Sequence, residues 1–340
     1  MKILVIQTAF PGDAILTLPM IQKLYEENDN STIDVLAIPA TRIIFEHSRY
    51  VNDVIIYDKK GKDESIISFL GFIKRIRKQK YEMVVSPHRS SRSSLIAYFS
   101  GAEQTVSFDK SSLPFLYKTL CHYENRDHEV KRNLSLINYD VSGDKWKILP
   151  EIFITEEIEK KVSTFIAGWE KDKIVAIAPG SVWATKRYPV EFFAEIIKML
   201  AADELKIVII GGKEDEKTGQ ELVSINPSQV KNLAGQFNII ESIALLRKSC
   251  LLISNDSAPA HMGMAADIPV LAIFCSTIPE FGFYPYNTAG KSISLDGLYC
   301  KPCGIHGYQK CPESHFKCGY DLSPSIVMAE AGKILSGDIH

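Results

Sequence analysis

The chain reads as an α/β protein made of two domains, each with an open parallel sheet, and three observations point there. It has 340 residues, too many for one ordinary core and suited to two domains of about 150 residues each. Short β-branched runs alternate with stretches of helical apolar spacing, which is the pattern of βαβ units. That alternation fills the first half, lapses over an irregular polar region at 110–150, and then starts again.

In the first half the strand-like runs lie at 3–6, 33–38, 54–57, 83–86 and 105–108, with helical spacing at 14–28, 65–80 and 91–100 between them. The stretch 110–150 predicts a loop and a short helix, and 156–169 predicts a helix. The later runs at 174–178, 207–210, 251–254 and 270–274 are continuously apolar, as parallel strands covered on both faces are. The predicted domains are 1–160 and 161–322, followed by a C-terminal helix over 323–340 that could pack back on the first domain.

Composition narrows the function. Hydrophobic residues make up 46% and charged residues 24%, the balance of a soluble globular protein. A net charge of -2 lacks the basic excess of nucleic-acid binders, so no nucleic-acid partner is expected. No apolar run reaches the roughly 18 residues that span a bilayer. The opening run 1–6 is interrupted by Gln7, Pro11 and Asp13, which predicts a first buried strand rather than a leader peptide. Seven cysteines, an odd number without an export signal, predict reduced thiols and a cytoplasmic location.

Four segments carry candidate chemistry. In "FPGDAILTLPMIQKL" a Pro11-Gly12 turn brings Asp13 to the start of the first helix. An aspartate there caps the helix or, facing a cleft, accepts a proton; position is compatible with both. In "APGSVWATKRYP" the small-residue turn around Ser181 precedes Lys186 and Arg187, two cations suited to a diphosphate or simply to an exposed loop. In "VIIGGKEDEKTG" a strand ends in two glycines followed by Glu214 and Asp215, acids able to accept ribose hydroxyls or to start a solvated helix. The strongest signal is "ISNDSAPAHMGMAADIPVLAIF": a strand opens through Asp256 and Ser257 onto a helix beginning near Pro259. Such a junction points backbone N–H groups and a helix dipole at an anion, and Ala258 and Ala260 permit close approach. The chain has no D-x-D triplet, P-loop or H-E-x-x-H motif, so fixed cations and a dipole would stabilise a leaving phosphate.

Taken in order, "ILVIQTAFPGDAILTLP", "PGSVWATKRYP", "NLAG", "SNDSAPAHMGMAADIPVLAIF" and "DLSPSIV" resemble the ADP-heptose:lipopolysaccharide heptosyltransferases of glycosyltransferase family 9, above all the heptosyltransferase II branch. The resemblance implies the GT-B architecture, two Rossmann-like domains with parallel sheets facing across a cleft. It also implies an inverting, metal-independent transfer of heptose from ADP-heptose to the lipopolysaccharide inner core. Asp13 becomes the general base by this likeness. The donor contacts fall on Gly12, Ser181, Lys186, Asp215, Asp256, Ser257, Ala258 and His261. The chain departs from many relatives at Ala258, where they carry Gly, and at Gln7, where they carry a basic residue. A transferase for another nucleotide sugar, or a sugar-nucleotide epimerase, is the alternative on the same architecture.

Two further stretches bear on partners. Arg89 and Arg92 in "SPHRSSRSSL" stand three apart, a spacing that shares a helix face, and suit an acceptor with phosphates and carboxylates such as the lipopolysaccharide core. "KRIRKQK" at 74–80 is the wet face of an amphipathic helix or a peripheral contact with the inner leaflet of the inner membrane. Catalysis needs no cofactor on this reading. Cys300, Cys303, Cys311 and Cys318, spaced C-x₂-C-x₇-C-x₆-C, nevertheless suit a structural Zn or Fe site or stay free thiols, with His306 and His315 as substitutes. Cys121, Cys250 and Cys275 are expected to be buried.

Overall fold

The computed structural model describes residues 1–28, 31–59, 61 and 63–337. It divides into two compact units, Met1–Phe153 and Ile154–His340.

In the first unit the order is β1 (Lys2–Ile6), α1 (Pro11–Glu26), β2 (Thr32–Ala37), α2 (Arg42–Glu46), β3 (Asp53–Ile56), α3 (Ile66–Lys78), β4 (Met83–Ser86), α4 (Ser91–Phe99), β5 (Gln104–Phe108), β6 (Thr119–Cys121) and α5 (Glu129–Ser135). Its six-stranded sheet runs β3-β2-β1-β4-β5-β6 and every pairing is parallel, with Val5 opposite Val35 on one side and Val85 on the other. β1 is apolar along its length because helices cover both faces of a parallel sheet. On one face Phe72, Ile73 and Ile76 of α3 and Ile96 and Ala97 of α4 close over Leu4, Ile6 and Val84.

The second unit holds α6 (Glu156–Phe165), β7 (Ile174–Ala178), α7 (Val190–Ala202), β8 (Lys206–Ile209), α8 (Glu216–Val223), β9 (Val230–Asn232), α9 (Ile239–Leu246), β10 (Leu251–Asn255), α10 (Ala258–Ala266), β11 (Val270–Phe274), β12 (Lys291–Ser294), α11 (Lys317–Tyr320) and α12 (Pro324–Ser336). Its sheet runs β12-β11-β10-β7-β8-β9, again wholly parallel, with Ile177 opposite Ile253. Counted from β7 as the first strand of its unit, this is the order of the first sheet read from the other edge. In each sheet the strand order therefore reverses between the first and fourth strands, and a crevice opens there at the carboxyl ends.

Three expectations change. Strands β6, β9 and β12 join the sheet edges beyond those read from the sequence. The boundary falls before α6, whose packing against α9 assigns it to the second unit, rather than at 160. The C-terminal helix belongs to the core of the second unit. Val327, Ala331 and Ile334 of α12 bury in the second unit's own core beside Phe193 and Ile197 of α7.

Candidate functional site

In the first unit the chain leaves β1 through a loop held from inside. The Gln7 amide donates to Thr17 Oγ1 at 2.8 Å, and that hydroxyl donates to the Asp13 carbonyl at 2.7 Å. Phe10, with extended backbone, is the N-cap of α1, and Pro11 occupies the opening turn with its ring already set for a helix. Asp13 is therefore not the cap but the acid of the first turn, where the helix dipole favours negative charge. Burial, then the Glu129 charge, nevertheless push its carboxyl up to about 7, against the pull of the Phe10 and Asp13 backbone and of Arg89. Among the described residues no cation forms an ion pair with it.

Glu129 escaped the sequence reading because nothing local marks it. It is buried at the start of α5, which packs on α1, and is held by Arg132 at 2.7 Å. Asn133 of the same helix donates to the Leu16 carbonyl at 3.1 Å, tying α5 to α1.

Across the crevice, after β4, His88 Nδ1 lies 2.8 Å from the hydroxyls of both Thr8 and Ser93. Burial lowers its pKa to about 4, so the ring is neutral at physiological pH. Arg89 and Arg92 do not share a helix face. Arg89 precedes Ser90, the N-cap of α4, and stacks over the Tyr123 ring at 4.0 Å. Arg92, inside the helix, donates to Tyr57 Oη at 2.8 Å and to the Glu64 carbonyl at 3.2 Å. Beside Arg92 lies a pocket of about 210 Å³ lined by Thr8, Tyr57, Lys59 and Ser90. Two cationic side chains on its wall suit an anionic group.

In the second unit the crevice joins three loops. Asn255, fully buried at the end of β10, donates to the Pro179 carbonyl at 2.7 Å and accepts from the Tyr188 N–H at 3.0 Å, so one side chain fixes both ends of the "PGSVWATKRYP" loop. Arg187 donates to the Ser181 carbonyl at 2.7 Å, which makes it a brace of the turn. Lys186, at the end of the 3₁₀ turn Ala184–Lys186, places its ammonium 2.6 Å from Asp256 Oδ2, and Thr277 Oγ1 donates to the same oxygen at 2.7 Å. Both partners of the pair are buried or nearly so. The ammonium has three donors and the contact with Asp256 uses one, leaving it able to meet a second anion.

Ser257 is the N-cap of α10 in extended backbone, Ala258 opens the helix, and Pro259 follows in its first turn. Ser257 Oγ donates to the Gly180 carbonyl at 3.3 Å instead of capping the helix. Pro259 has no N–H and the Ala260 N–H donates to the Ser257 carbonyl at 3.0 Å. Among the described residues the Ser257 and Ala258 N–H groups are therefore the ones left for an anion, with no side-chain cap on the helix. His261 lies buried on the same helix, and burial lowers its pKa to about 4, with Asp256 opposing and Lys186 adding. It is a neutral neighbour of the pair. Asp215 accepts from the Gly212 N–H at 2.9 Å and has its pKa raised by burial. A Cβ at Gly180 or Gly211 would meet its carboxylate, which would then have to shift. The expected donor residues thus gather on the second unit, except Gly12, which stands beside Asp13 on the first. Thr277 and Asn255 were missed; neither has a local signature.

Cys300, Cys303 and Cys311 lie near enough to Cys318 for their charges to act on its thiol. Among the described residues no three His, Cys, Asp or Glu side chains gather to hold an ion, and all seven cysteines are free. Cys300 Sγ lies 4.0 Å from His315 Nε2, while Cys303 Sγ donates to the Cys300 carbonyl. Cys318 turns into the second unit's hydrophobic core, where burial pushes its thiol up to about 11. His306 instead stacks on Trp183. Cys275 is buried as expected; Cys121 and Cys250 are half-buried.

Comparison with known proteins adds the following. A family model described as glycosyltransferase family 9 (heptosyltransferase) matches residues 69–310. The chain is 22% identical to the lipopolysaccharide heptosyltransferase 2 of Salmonella typhimurium strain LT2, over 99% of each chain. It is similar to the solved structure of the family 9 glycosyl transferase of Veillonella parvula DSM 2008, with a TM-score of 0.85, 22% identity and coverage of 99% of this chain and 97% of that one. The E. coli ADP-heptose LPS heptosyltransferase II gives a TM-score of 0.80 at 19% identity, covering 99% of both. These structural likenesses establish a shared two-domain architecture.

Proposed function

The chain belongs to glycosyltransferase family 9, the heptosyltransferases, and on that premise we propose that it moves heptose from ADP-heptose to the lipopolysaccharide inner core with inversion and without a metal. The name of the Salmonella relative, a lipopolysaccharide heptosyltransferase, supports the sugar and the acceptor, and that of the E. coli neighbour, an ADP-heptose LPS heptosyltransferase, supports the donor. The observation that carries the reaction is Asp13: a carboxylate in the first turn of α1, its pKa raised to about 7 and free of any ion pair among the described residues.

In this reaction the acceptor hydroxyl oxygen attacks the anomeric carbon while Asp13 takes its proton. A base with a pKa near the working pH combines an ionised fraction with real proton affinity. The bond from the anomeric carbon to the diphosphate oxygen breaks, and ADP departs with the bonding pair. Lys186 and the N–H groups of Ser257 and Ala258 meet the charge that collects on the leaving phosphate, a stabilisation worth most where water is excluded. Asp256, held by Thr277, keeps Lys186 in place and lies beside the sugar. Asp215 receives the ribose, with Ser181, Ser257, Ala258 and His261 shaping the donor pocket. Arg89 and Arg92 receive the anionic acceptor.

The acceptor is carried by a lipid, so the same proposal puts the protein at the cytoplasmic face of the inner membrane in peripheral contact with it. Among the described residues no helix is long and apolar enough to cross a membrane. The test is a transfer assay with a panel of nucleotide sugars and a lipopolysaccharide core acceptor. ADP-heptose should be consumed, at a rate that EDTA leaves unchanged. Turnover of a different nucleotide sugar, with none of ADP-heptose, would reject the proposal.

A further inference from the structure

Helix α3 carries an amphipathic arrangement that its own unit does not use. Its inward face, Phe72, Ile73 and Ile76, lies in the core of the first unit. At its amino end three large aliphatic side chains stand in solvent: Ile66 is 79% exposed, Ile67 84% and Leu70 58%. Ser65 caps that end, accepting from the Ser68 N–H at 3.1 Å, so these residues belong to an ordered helix and not to a frayed end. Exposed aliphatic residues scattered singly need no explanation, but three within two turns do.

The carboxyl half of the helix supplies the second observation. Lys74, Arg75, Arg77 and Lys78 are all exposed. Arg75 reaches Asp63 at 3.5 Å, and among the described residues it alone of these four has an acid partner. Helical geometry sets Ile67, Lys74 and Lys78 on one outward stripe, at spacings of seven and four residues. A protein partner would account for the apolar tip and leave the unpaired cations unexplained. An anionic lipid surface accounts for both, with aliphatic side chains at the acyl boundary and ammonium groups among the headgroups.

We propose that α3 is the surface by which this protein docks on a bilayer of anionic phospholipid. The tip lies at the correct edge of the unit. β1 and β3 are parallel members of one sheet, so Asp13, after β1, and Ile66, after β3, both lie towards the carboxyl edge of that sheet. The Lys59 ammonium donates to the Thr8 carbonyl at 3.1 Å and Arg92 donates to the Glu64 carbonyl at 3.2 Å, linking the approach to α3 with the loop before Asp13 and the start of α4. A lipid-borne acceptor held at the bilayer is thereby presented on the side of the unit where its hydroxyl is needed. That last point rests on the proposed transferase reaction; the docking itself does not.

The experiment is flotation of the full chain with vesicles of phosphatidylcholine alone or mixed with phosphatidylglycerol. Binding should require phosphatidylglycerol and weaken as salt is raised. Each cation near such a surface is worth about 1 kcal/mol, roughly fivefold in partitioning, so Lys74→Gln with Lys78→Gln should lower it about twenty- to thirtyfold. Ile66→Ser with Ile67→Ser should abolish binding with the melting temperature unchanged, since neither side chain is in the core. Equal binding to neutral and anionic vesicles, or none to either, would overturn the proposal. So would a dimer in analytical ultracentrifugation that the Ile66→Ser, Ile67→Ser variant abolishes, because the tip would then be an interface between copies. Turnover on a delipidated core saccharide should be the same in all variants. Its absence from the wild type would count against the transferase reading while leaving the vesicle result standing.

Discussion

The two sheets share one topology but carry their charges in opposite places. In the first unit the acid follows the first strand and the cation follows the fourth: Asp13 after β1, Arg89 after β4. In the second unit the cation follows the first strand and the acid follows the fourth, Lys186 after β7 and Asp256 after β10. The outcomes differ. Lys186 and Asp256 meet at 2.6 Å, with Thr277 completing the contact. Arg89 instead lies over the Tyr123 ring, and Asp13 is left beside Glu129 with its pKa raised. One crevice is electrically settled and suits holding a ligand; the other keeps a carboxyl near its titration point and suits moving a proton. A crevice at a switch point supplies the location, and pairing within it decides the chemistry.

The sharpest way to break this comparison is at Asp13. Asp13→Ala should lower turnover by roughly a hundred- to ten-thousandfold, the usual contribution of a general base, and leave ADP affinity as it was. Wild-type turnover in that variant would remove the contrast altogether. Next is the settled pair. Lys186→Ala should weaken ADP by about ten- to a hundredfold in titrations while adenosine binds as before, because only the diphosphate carries charge for the ammonium to meet. The same variant strands a buried carboxylate at Asp256, so its melting temperature should fall; an equal loss for both ligands would show that Lys186 does not hold the diphosphate.

The pH profile sharpens the contrast with smaller changes. With a carboxyl pKa of about 7, wild-type turnover should fall about tenfold per pH unit below that value as Asp13 is protonated. Stability runs the other way. A folded pKa above the ordinary carboxylate value favours the protonated form, so the stabilisation it brings is complete at acid pH and is lost as pH rises through about 7. Asp13→Asn removes that dependence. Its melting temperature should exceed that of the wild type by a margin that widens from about pH 4 to about pH 7 and is level above it; a constant margin would mean that the carboxyl is not perturbed. The smallest effect belongs to Thr277→Val. It deletes one hydrogen bond to Asp256, and loosening Lys186 by that route should cost ADP about three- to tenfold in affinity.

How far the sequence discloses this follows from what each feature depends on. β4, β7 and β11 are found where apolar runs put them, since a covered parallel strand is written continuously along the chain. β6, β9 and β12 were not visible. They are Thr-Leu-Cys, Val-Lys-Asn and Lys-Ser-Ile-Ser, edge segments partly open to water that need no apolar run. The segments bearing Asp13, Lys186 and Asp256 were legible, because turn residues and helix starts are local. Their partners were not: Glu129 reaches Asp13 only through the packing of α5 on α1, and Thr277 reaches Asp256 only because β11 lies beside β10. Arg89 and Arg92 show the opposite error, a helical spacing read across a residue that caps the helix. For α12 the helix itself was legible, but local spacing does not name the surface that will cover it.

The same short edges bear on how the chain survives its own synthesis. A wholly parallel sheet has no hairpin to form early; each neighbouring pair waits for a crossover to close, so folding is slow and strand backbones stay exposed meanwhile. The finished edges are of four, three, three and four residues at β3, β6, β9 and β12. Segments so brief offer too few free amides and carbonyls to template another chain, and Lys231 and Lys291 add charge on two of them. Lengthening β9 or β12 with β-branched residues would therefore be expected to harm solubility during refolding well before it altered any step of sugar transfer.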